Sequence, residues 1–113
     1  MRLIRWIQGA WRQLADRWQY DLKVVEITGN AAPSDLSNKQ LARLSSGGQA
    51  WAAVMLCPCG CGDDIELMLL KAVDPHWDLD IDRGLPTLRP SVWRHVGCRS
   101  HFWVKRGRIV WVD

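Results

Sequence analysis

The sequence predicts an α+β fold, in which an N-terminal amphipathic helix packs on a small, mainly antiparallel β-sheet. Three observations favour this class. The chain has 113 residues, of which 48% are hydrophobic and 24% charged, as in a single globular domain and unlike a disordered chain. Its first 18 residues repeat apolar side chains at helical spacing. Its second half contains several short segments in which apolar and polar side chains alternate.

Residues 2–18 are predicted to form the amphipathic helix. Arginines occupy the face opposite the apolar positions, which are Leu3, Ile7, Ala10, Trp11, Leu14 and Trp18. We expect the tryptophan-bearing face to pack on the protein's own sheet; the alternative is docking on a partner or on an anionic membrane surface. Because Arg5 and Arg12 interrupt the apolar stretch, we expect no secretory signal and a reducing, cytoplasmic location.

Alternation of apolar and polar side chains predicts six β-strands. They cover residues 21–28, 50–56, 65–70, 77–81, 102–104 and 109–112, the last two as a hairpin that turns at Arg106 and Gly107. A short helix is predicted around residues 37–44, followed by a flexible link at 45–48. We therefore expect two parts: residues 1–46, with a helix, a strand and a loop, and a β-rich domain over residues 47–113.

The formal net charge of +3 is unevenly distributed along the chain. Residues 63–82 contain seven acidic side chains and one lysine, whereas residues 83–112 contain seven basic side chains and no acidic one. A charge run is usually solvated surface, and the alternative is a basic surface that meets an acidic partner. Nucleic-acid binding is disfavoured because the chain beyond residue 18 is neutral overall. The longest apolar run, residues 50–57, is too short for a transmembrane segment.

Four cysteines provide the first chemical signal. Three of them alternate with Pro and Gly between two predicted strands, and they are Cys57, Cys59 and Cys61. A disulfide within so short a stretch would be strained, whereas thiolates in a Gly-rich turn are typical zinc ligands; buried inert thiols are the alternative. Cys98 would complete a Cys₄ site and His101 a Cys₃His site. We favour Cys98, since a closed Cys₄ shell makes the Zn²⁺ structural and leaves His101 free.

Ser91 and His101 provide the second chemical signal. A serine hydroxyl becomes a useful nucleophile when a histidine lies within hydrogen-bond reach, a distance that the sequence does not give. Ser100 is a poorer partner for His101, because neighbours on a strand point to opposite faces. On residue types alone, a hydrogen-bonded serine and a satisfied histidine are the simpler interpretation.

Four blocks of the sequence resemble a family of small bacterial proteins. The blocks are residues 57–62 (CPCGCG), 86–92 (PTLRPSV), 97–104 (GCRSHFWV) and 107–111 (GRIVW). Members of the family are typically encoded beside ubiquitin-like proteins and E1- and E2-like enzymes, in gene clusters linked to antiviral defence. The resemblance covers about residues 47–113 and leaves residues 1–46 without a recognised motif.

The resemblance implies a deubiquitinase-like peptidase or isopeptidase. Its substrate would be a ubiquitin-like protein, trimmed as a precursor or removed from its targets, and the E1- and E2-like enzymes are candidate partners. The resemblance also implies that the four cysteines hold zinc, that Ser91 is the nucleophile and that His101 is the general base. A third catalytic residue is not identified, although Asp78, Asp80 and Asp82 are candidates. The alternative function is a non-catalytic, zinc-stabilised module that binds the conjugation machinery.

Overall fold

The computed structural model describes residues 20–112, which form two four-stranded β-sheets. The strands are β1 (Lys23–Thr28), β2 (Gln40–Ser46), β3 (Gln49–Leu56), β4 (Asp64–Met68), β5 (Asp78–Asp82), β6 (Leu85–Trp93), β7 (His101–Lys105) and β8 (Arg108–Trp111). Residues 20–112 contain no helix, and therefore none that could cross a membrane, so the predicted α+β class is wrong for this part of the chain and its architecture is all-β. The predicted helix at residues 2–18 lies outside the described residues.

The first sheet has the order β1-β2-β3-β4, with β1 parallel to β2 and the other neighbours antiparallel. The short helix predicted around residues 37–44 is wrong, because residues 40–46 form β2. Leu41 is buried towards the second sheet, whereas Ala42 and Leu44 are buried on the opposite face. A short strand with apolar residues on both faces loses its alternation, and its pattern then matches a helix equally well.

The link predicted at residues 45–48 is a tight hairpin turn between β2 and β3. Gly47 and Gly48 form the turn with φ values of +59° and +79°. Two consecutive positive φ values are characteristic of the two-residue turns that match the twist of paired strands. β2 and β3 consequently pair across the boundary between residues 46 and 47, so one sheet contains strands from both predicted parts.

The second sheet is antiparallel throughout, with the order β5-β6-β7-β8. The sequence did not predict β6, because proline lacks the N–H that a central strand needs and β6 contains Pro86 and Pro90. The strand accommodates Pro90 in a bulge. Four steps from Leu88 to Val92 on β6 oppose only two steps from Val104 to Phe102 on β7. Residues 89–91 are therefore displaced from the regular pairing of β6 with β7.

The two sheets share one apolar core. It contains Leu41, Met55, Ile65 and Leu67 of the first sheet and Leu88, Val92, Phe102 and Val104 of the second. Phe102 and Val104 are fully buried. Because side chains alternate along a strand, His101, Trp103 and Lys105 lie on the outer face of β7.

The other predicted strands are confirmed with shifts of a few residues at their ends. They correspond to β1, β3, β4, β5, β7 and β8. The predicted hairpin is also confirmed, since β7 and β8 pair antiparallel and turn at Arg106 and Gly107. The cysteine-bearing turn lies between the paired strands β3 and β4, as expected.

Candidate active site and metal centre

The bulge in β6 places Ser91 beside the first residue of β7. The Ser91 Oγ lies 2.9 Å from His101 Nε2, which is hydrogen-bond distance. Both side chains are partly buried, and His101 projects from the outer face of the second sheet. Ser100 is a buried neighbour of His101 and does not share this contact. The structure therefore brings together the serine and the histidine that the sequence singled out.

Two tryptophans hold this pair. Trp93 opposes His101 in the register of β6 and β7, and the two rings stack with centroids 4.8 Å apart and planes 7° from parallel. On the other side of the serine, Trp77 Nε1 donates a hydrogen bond of 3.3 Å to the Ser91 carbonyl oxygen. The ring of His101 and the backbone of Ser91 are thus both fixed by aromatic side chains.

The three candidate carboxylates lie on β5 and do not contact His101. Asp80 forms an ion pair with Arg89, with Nη1 and Oδ2 2.5 Å apart, while Asp78 opposes Arg89 and Asp82 opposes Leu85 in the strand register. In the described range 20–112, no carboxylate hydrogen bonds to the His101 ring. Among the described residues, the imidazole is held by its hydrogen bond with Ser91 and by its stacking contact with Trp93.

The four cysteines meet at one point. The sulfur atoms of Cys57, Cys59, Cys61 and Cys98 all lie within 4.8 Å of one another. Cys57 follows β3 and is buried, and the turn that carries the next two cysteines passes through Gly60 and Gly62, at φ values of +88° and +86°. These left-handed conformations let a short segment wrap its thiols around one centre. Such a cluster can hold a metal ion.

His101 is not a member of this cluster. The metal-binding group found among the described residues consists of the four sulfurs, and the Nε2 of His101 is within hydrogen-bond distance of Ser91. Of the two ligand sets that the sequence allowed, the geometry favours Cys₄ over Cys₃His. The histidine is left for the serine.

Two further residues contact the cysteine cluster and were missed in the sequence. The Ser100 Oγ lies 3.1 Å from Cys98 Sγ and 3.7 Å from Cys57 Sγ. The Arg94 Nη1 donates to Cys98 at 3.3 Å and to Cys61 at 3.5 Å. Strand alternation already put Ser100 opposite His101 and so held a usable signal, but nothing in the sequence marked Arg94.

The pKa values of two of the cluster's thiols are shifted in opposite directions. Hydrogen bonding from Ser100 lowers the pKa of Cys98 to about 6, whereas hydrogen bonding with Cys57 raises the pKa of Cys59 to about 12. The two pKa values differ because Ser100 hydrogen bonds favour the Cys98 thiolate, whereas hydrogen bonds with the neighbouring cysteines favour the Cys59 thiol. Four converging sulfurs, of which one thiol ionises easily, are a donor set that fits a thiophilic metal ion.

The Ser91–His101 pair and the cysteine cluster lie on opposite faces of the two chain segments at residues 93–94 and 100–101. Trp93 and His101 face outwards, whereas the adjacent Arg94 and Ser100 contact the cysteines. The Arg94 N–H donates to the Ser100 carbonyl oxygen at 2.8 Å, which continues the pairing of β6 and β7 beyond His101. The cysteine cluster and the Ser91–His101 pair are therefore held by adjacent residues of the same two chain segments.

Comparison with known proteins supplies the biochemical context for this geometry. Residues 28–112 match the family described as "Bacterial ubiquitination-like system serine protease (BubE)". No significant match was found to a curated protein or to a solved structure. The family match spans most of the chain and includes Ser91, His101 and all four cysteines. The chain belongs to this family of bacterial ubiquitination-like system serine proteases.

Proposed function

We propose that the protein is a peptidase or isopeptidase that processes or deconjugates a bacterial ubiquitin-like protein by a Ser–His mechanism. The observation that carries the proposal is the 2.9 Å separation of Ser91 Oγ and His101 Nε2 in a member of a serine-protease family. The ubiquitination-like system named by that family supports a ubiquitin-like protein as the class of substrate. E1- and E2-like enzymes are proposed as further partners.

In this mechanism Ser91 Oγ attacks the carbonyl carbon of the C-terminal residue of the ubiquitin-like protein, while His101 Nε2 accepts the hydroxyl proton. The tetrahedral adduct collapses as the imidazolium returns that proton to the departing amine, and the C–N bond breaks to leave a serine ester. His101 then accepts a proton from water, whose oxygen attacks the ester. The ester C–Oγ bond then breaks as the imidazolium returns its proton to Ser91 Oγ, which releases the free C-terminal carboxylate and regenerates Ser91 and neutral His101.

The metal centre is assigned a structural role. Cys57, Cys59, Cys61 and Cys98 would hold one Zn²⁺ through their four sulfurs. Zinc bound in this way supplies a crosslink between the turn after β3 and the segment before β7. Arg94 donates to Cys98 and Cys61, and Ser100 Oγ lies at hydrogen-bond distance from Cys98, so both groups would offset the negative charge of four thiolates. Such a crosslink would restrict Ser100 through its contact with Cys98, and would thereby restrict the adjacent His101.

The proposed cleavage is tested with the cognate ubiquitin-like precursor as the substrate. The wild-type chain should cleave it, and Ser91→Ala and His101→Ala should each reduce kcat by about 10³-fold or more. Ser46→Ala, at the exposed end of β2, is the matched control and should retain full activity. A folded Ser91→Ala variant with unchanged activity would disprove the serine mechanism. Cleavage by neither the wild type nor any variant, with the precursor still bound, would favour the non-catalytic module.

The metal assignment has its own measurement. Elemental analysis of the purified chain should find about one zinc per chain, and Cys98→Ser should lose it while His101→Ala retains it. Removal of the ion with a chelator should lower the melting temperature of the wild type, because the crosslink contributes to folding. Equal zinc content in the wild type and Cys98→Ser would contradict the Cys₄ assignment.

A further inference from the structure

We propose that a groove beside Ser91 is a substrate subsite for an extended segment that carries an apolar side chain and, farther from the scissile bond, a carboxylate. The inference rests on the proposed function, since the segment belongs to the chain that is cleaved. The groove has a volume of about 480 Å³ and is lined by Thr87, Leu88, Arg89, Trp103, Lys105 and Arg106.

The groove opens on the face that carries the Ser91–His101 pair. Trp103 follows His101 by two positions on β7, and both project outwards because the intervening Phe102 is fully buried. On the opposite wall, Arg89 precedes Ser91 by two positions within the bulge that faces Trp103. A chain whose scissile carbonyl lies at Ser91 Oγ can continue directly into this groove.

The groove combines an aromatic surface with a fixed cationic turn. The Trp103 ring is partly exposed, and Lys105 Nζ lies 5.3 Å from its centroid. An indole in this position offers an apolar surface to a substrate side chain, with a positive charge beside it. The Arg106 backbone N–H donates to Thr87 Oγ1 at 2.9 Å, which fixes the β7–β8 turn at the end of the groove.

The positive charge of the groove is largely uncompensated. Arg89 is paired with Asp80, but no carboxylate within residues 20–112 forms an ion pair with Lys105 or Arg106. No acidic residue lines the groove. Two exposed cations beside an aromatic surface are complementary to a carboxylate that follows an apolar side chain.

The spacing along β7 sets the expected positions in the substrate. A strand rises by about 3.3 Å per residue, which places Trp103 about 7 Å and Lys105 about 13 Å beyond His101. An extended substrate has the same rise. Its apolar side chain is therefore expected about two residues, and its carboxylate about four residues, from the scissile bond.

The subsite is tested with peptides that span the cleavage site of the cognate precursor. Glu or Lys is placed two, three or four residues from the scissile bond on either side. The wild type should prefer Glu to Lys by about fivefold or more in kcat/KM when the residue lies four positions from the scissile bond on one side, and less when it lies two positions away, since the local charges are exposed. Lys105→Glu should reverse this preference. Lys39→Glu makes the same charge change outside the groove and should leave it unaltered.

A second variant tests the apolar part of the groove. Trp103→Ala should raise KM for the intact precursor by about tenfold while kcat changes by less than about twofold, because the indole binds substrate without taking part in the chemistry. Cleavage without any charge preference, or an unchanged KM for Trp103→Ala, would overturn the subsite and leave the proposed function intact. Failure of the wild type to cleave the intact precursor would overturn both.

Discussion

Trp93 and His101 lie opposite each other on β6 and β7, and their rings stack almost in parallel, with centroids 4.8 Å apart. Serine proteases commonly orient the imidazole through a carboxylate on its second nitrogen. No such carboxylate contacts His101 among residues 20–112. The indole of Trp93 provides an alternative constraint, because a stacked ring limits rotation of the imidazole while its Nε2 stays directed at Ser91.

The first prediction concerns Trp93 as a positioning residue. Trp93→Ala should lower kcat by about tenfold with little change in KM, because a freely rotating imidazole spends less time aligned with Ser91. Trp93→Phe preserves an aromatic face and should retain most of the activity. Trp93 is 57% exposed, so neither variant should change the melting temperature much. Steady-state kinetics on the cognate precursor measure this, and an effect confined to KM would contradict it.

The second prediction concerns the buried hydroxyl of Ser100. Ser100→Ala removes the hydroxyl that hydrogen bonds with Cys98 Sγ and accepts from Cys57 Sγ, so zinc affinity should fall by about 10- to 100-fold. Competition with a chromophoric chelator measures the affinity directly. Ser46→Ala, which lies far from the cysteines in sequence and is exposed, serves as the control. Equal zinc affinities for the two variants would show that Ser100 does not support the metal centre.

The third prediction concerns Phe102, the largest fully buried side chain between the two sheets. Phe102→Ala should reduce the free energy of unfolding by about 3–5 kcal/mol, because it leaves a cavity beneath the site and removes the edge contact with Trp111. Val110→Ala, on the same hairpin but 42% exposed, should cost about 0.5 kcal/mol or less. Urea unfolding measures both variants, and similar losses would contradict the burial of Phe102.

The fourth prediction concerns the turn at Gly107. A Cβ at this position would lie 2.6 Å from the Leu22 carbonyl oxygen, and the backbone φ is +76°. Gly48 has a similar φ of +79° with nothing within 4 Å of a Cβ, so Gly48→Ala isolates the conformational cost, about 1–2 kcal/mol. Gly107→Ala should cost clearly more, because it also displaces residues 21 and 22, whose N–H groups donate to the Gly107 carbonyl oxygen. Equal losses in urea unfolding would refute this close approach.

Local sequence patterns predicted most of the strands and failed where burial or proline masked the alternation. The strands at residues 23–28 and 101–105 keep a readable pattern, whereas Leu41 and Ala42 are buried on opposite faces of β2. In β6 the two prolines are untypical of a central strand. Pro90 fits because β6 forms a bulge where it pairs with β7, and local sequence does not show that pairing.

The sequence by itself determined the chemistry available to this protein. The spacing of three cysteines in residues 57–62 depends only on neighbouring residues, as does the opposite orientation expected for Ser100 and His101, which are adjacent in the chain. The sequence motifs also pointed to the family to which the chain belongs.

Only the tertiary structure decided how these groups are arranged. The approach of Cys98 to the cysteine turn, the alignment of Ser91 with His101 and the stacking of Trp93 all depend on strand register. The register depends on the packing of the whole sheet and on the two extra residues of the β6 bulge. Neither of these can be predicted from a short stretch of sequence. The packing of the two sheets around Phe102 is therefore what brings Ser91 to His101 and Cys98 to the other three cysteines.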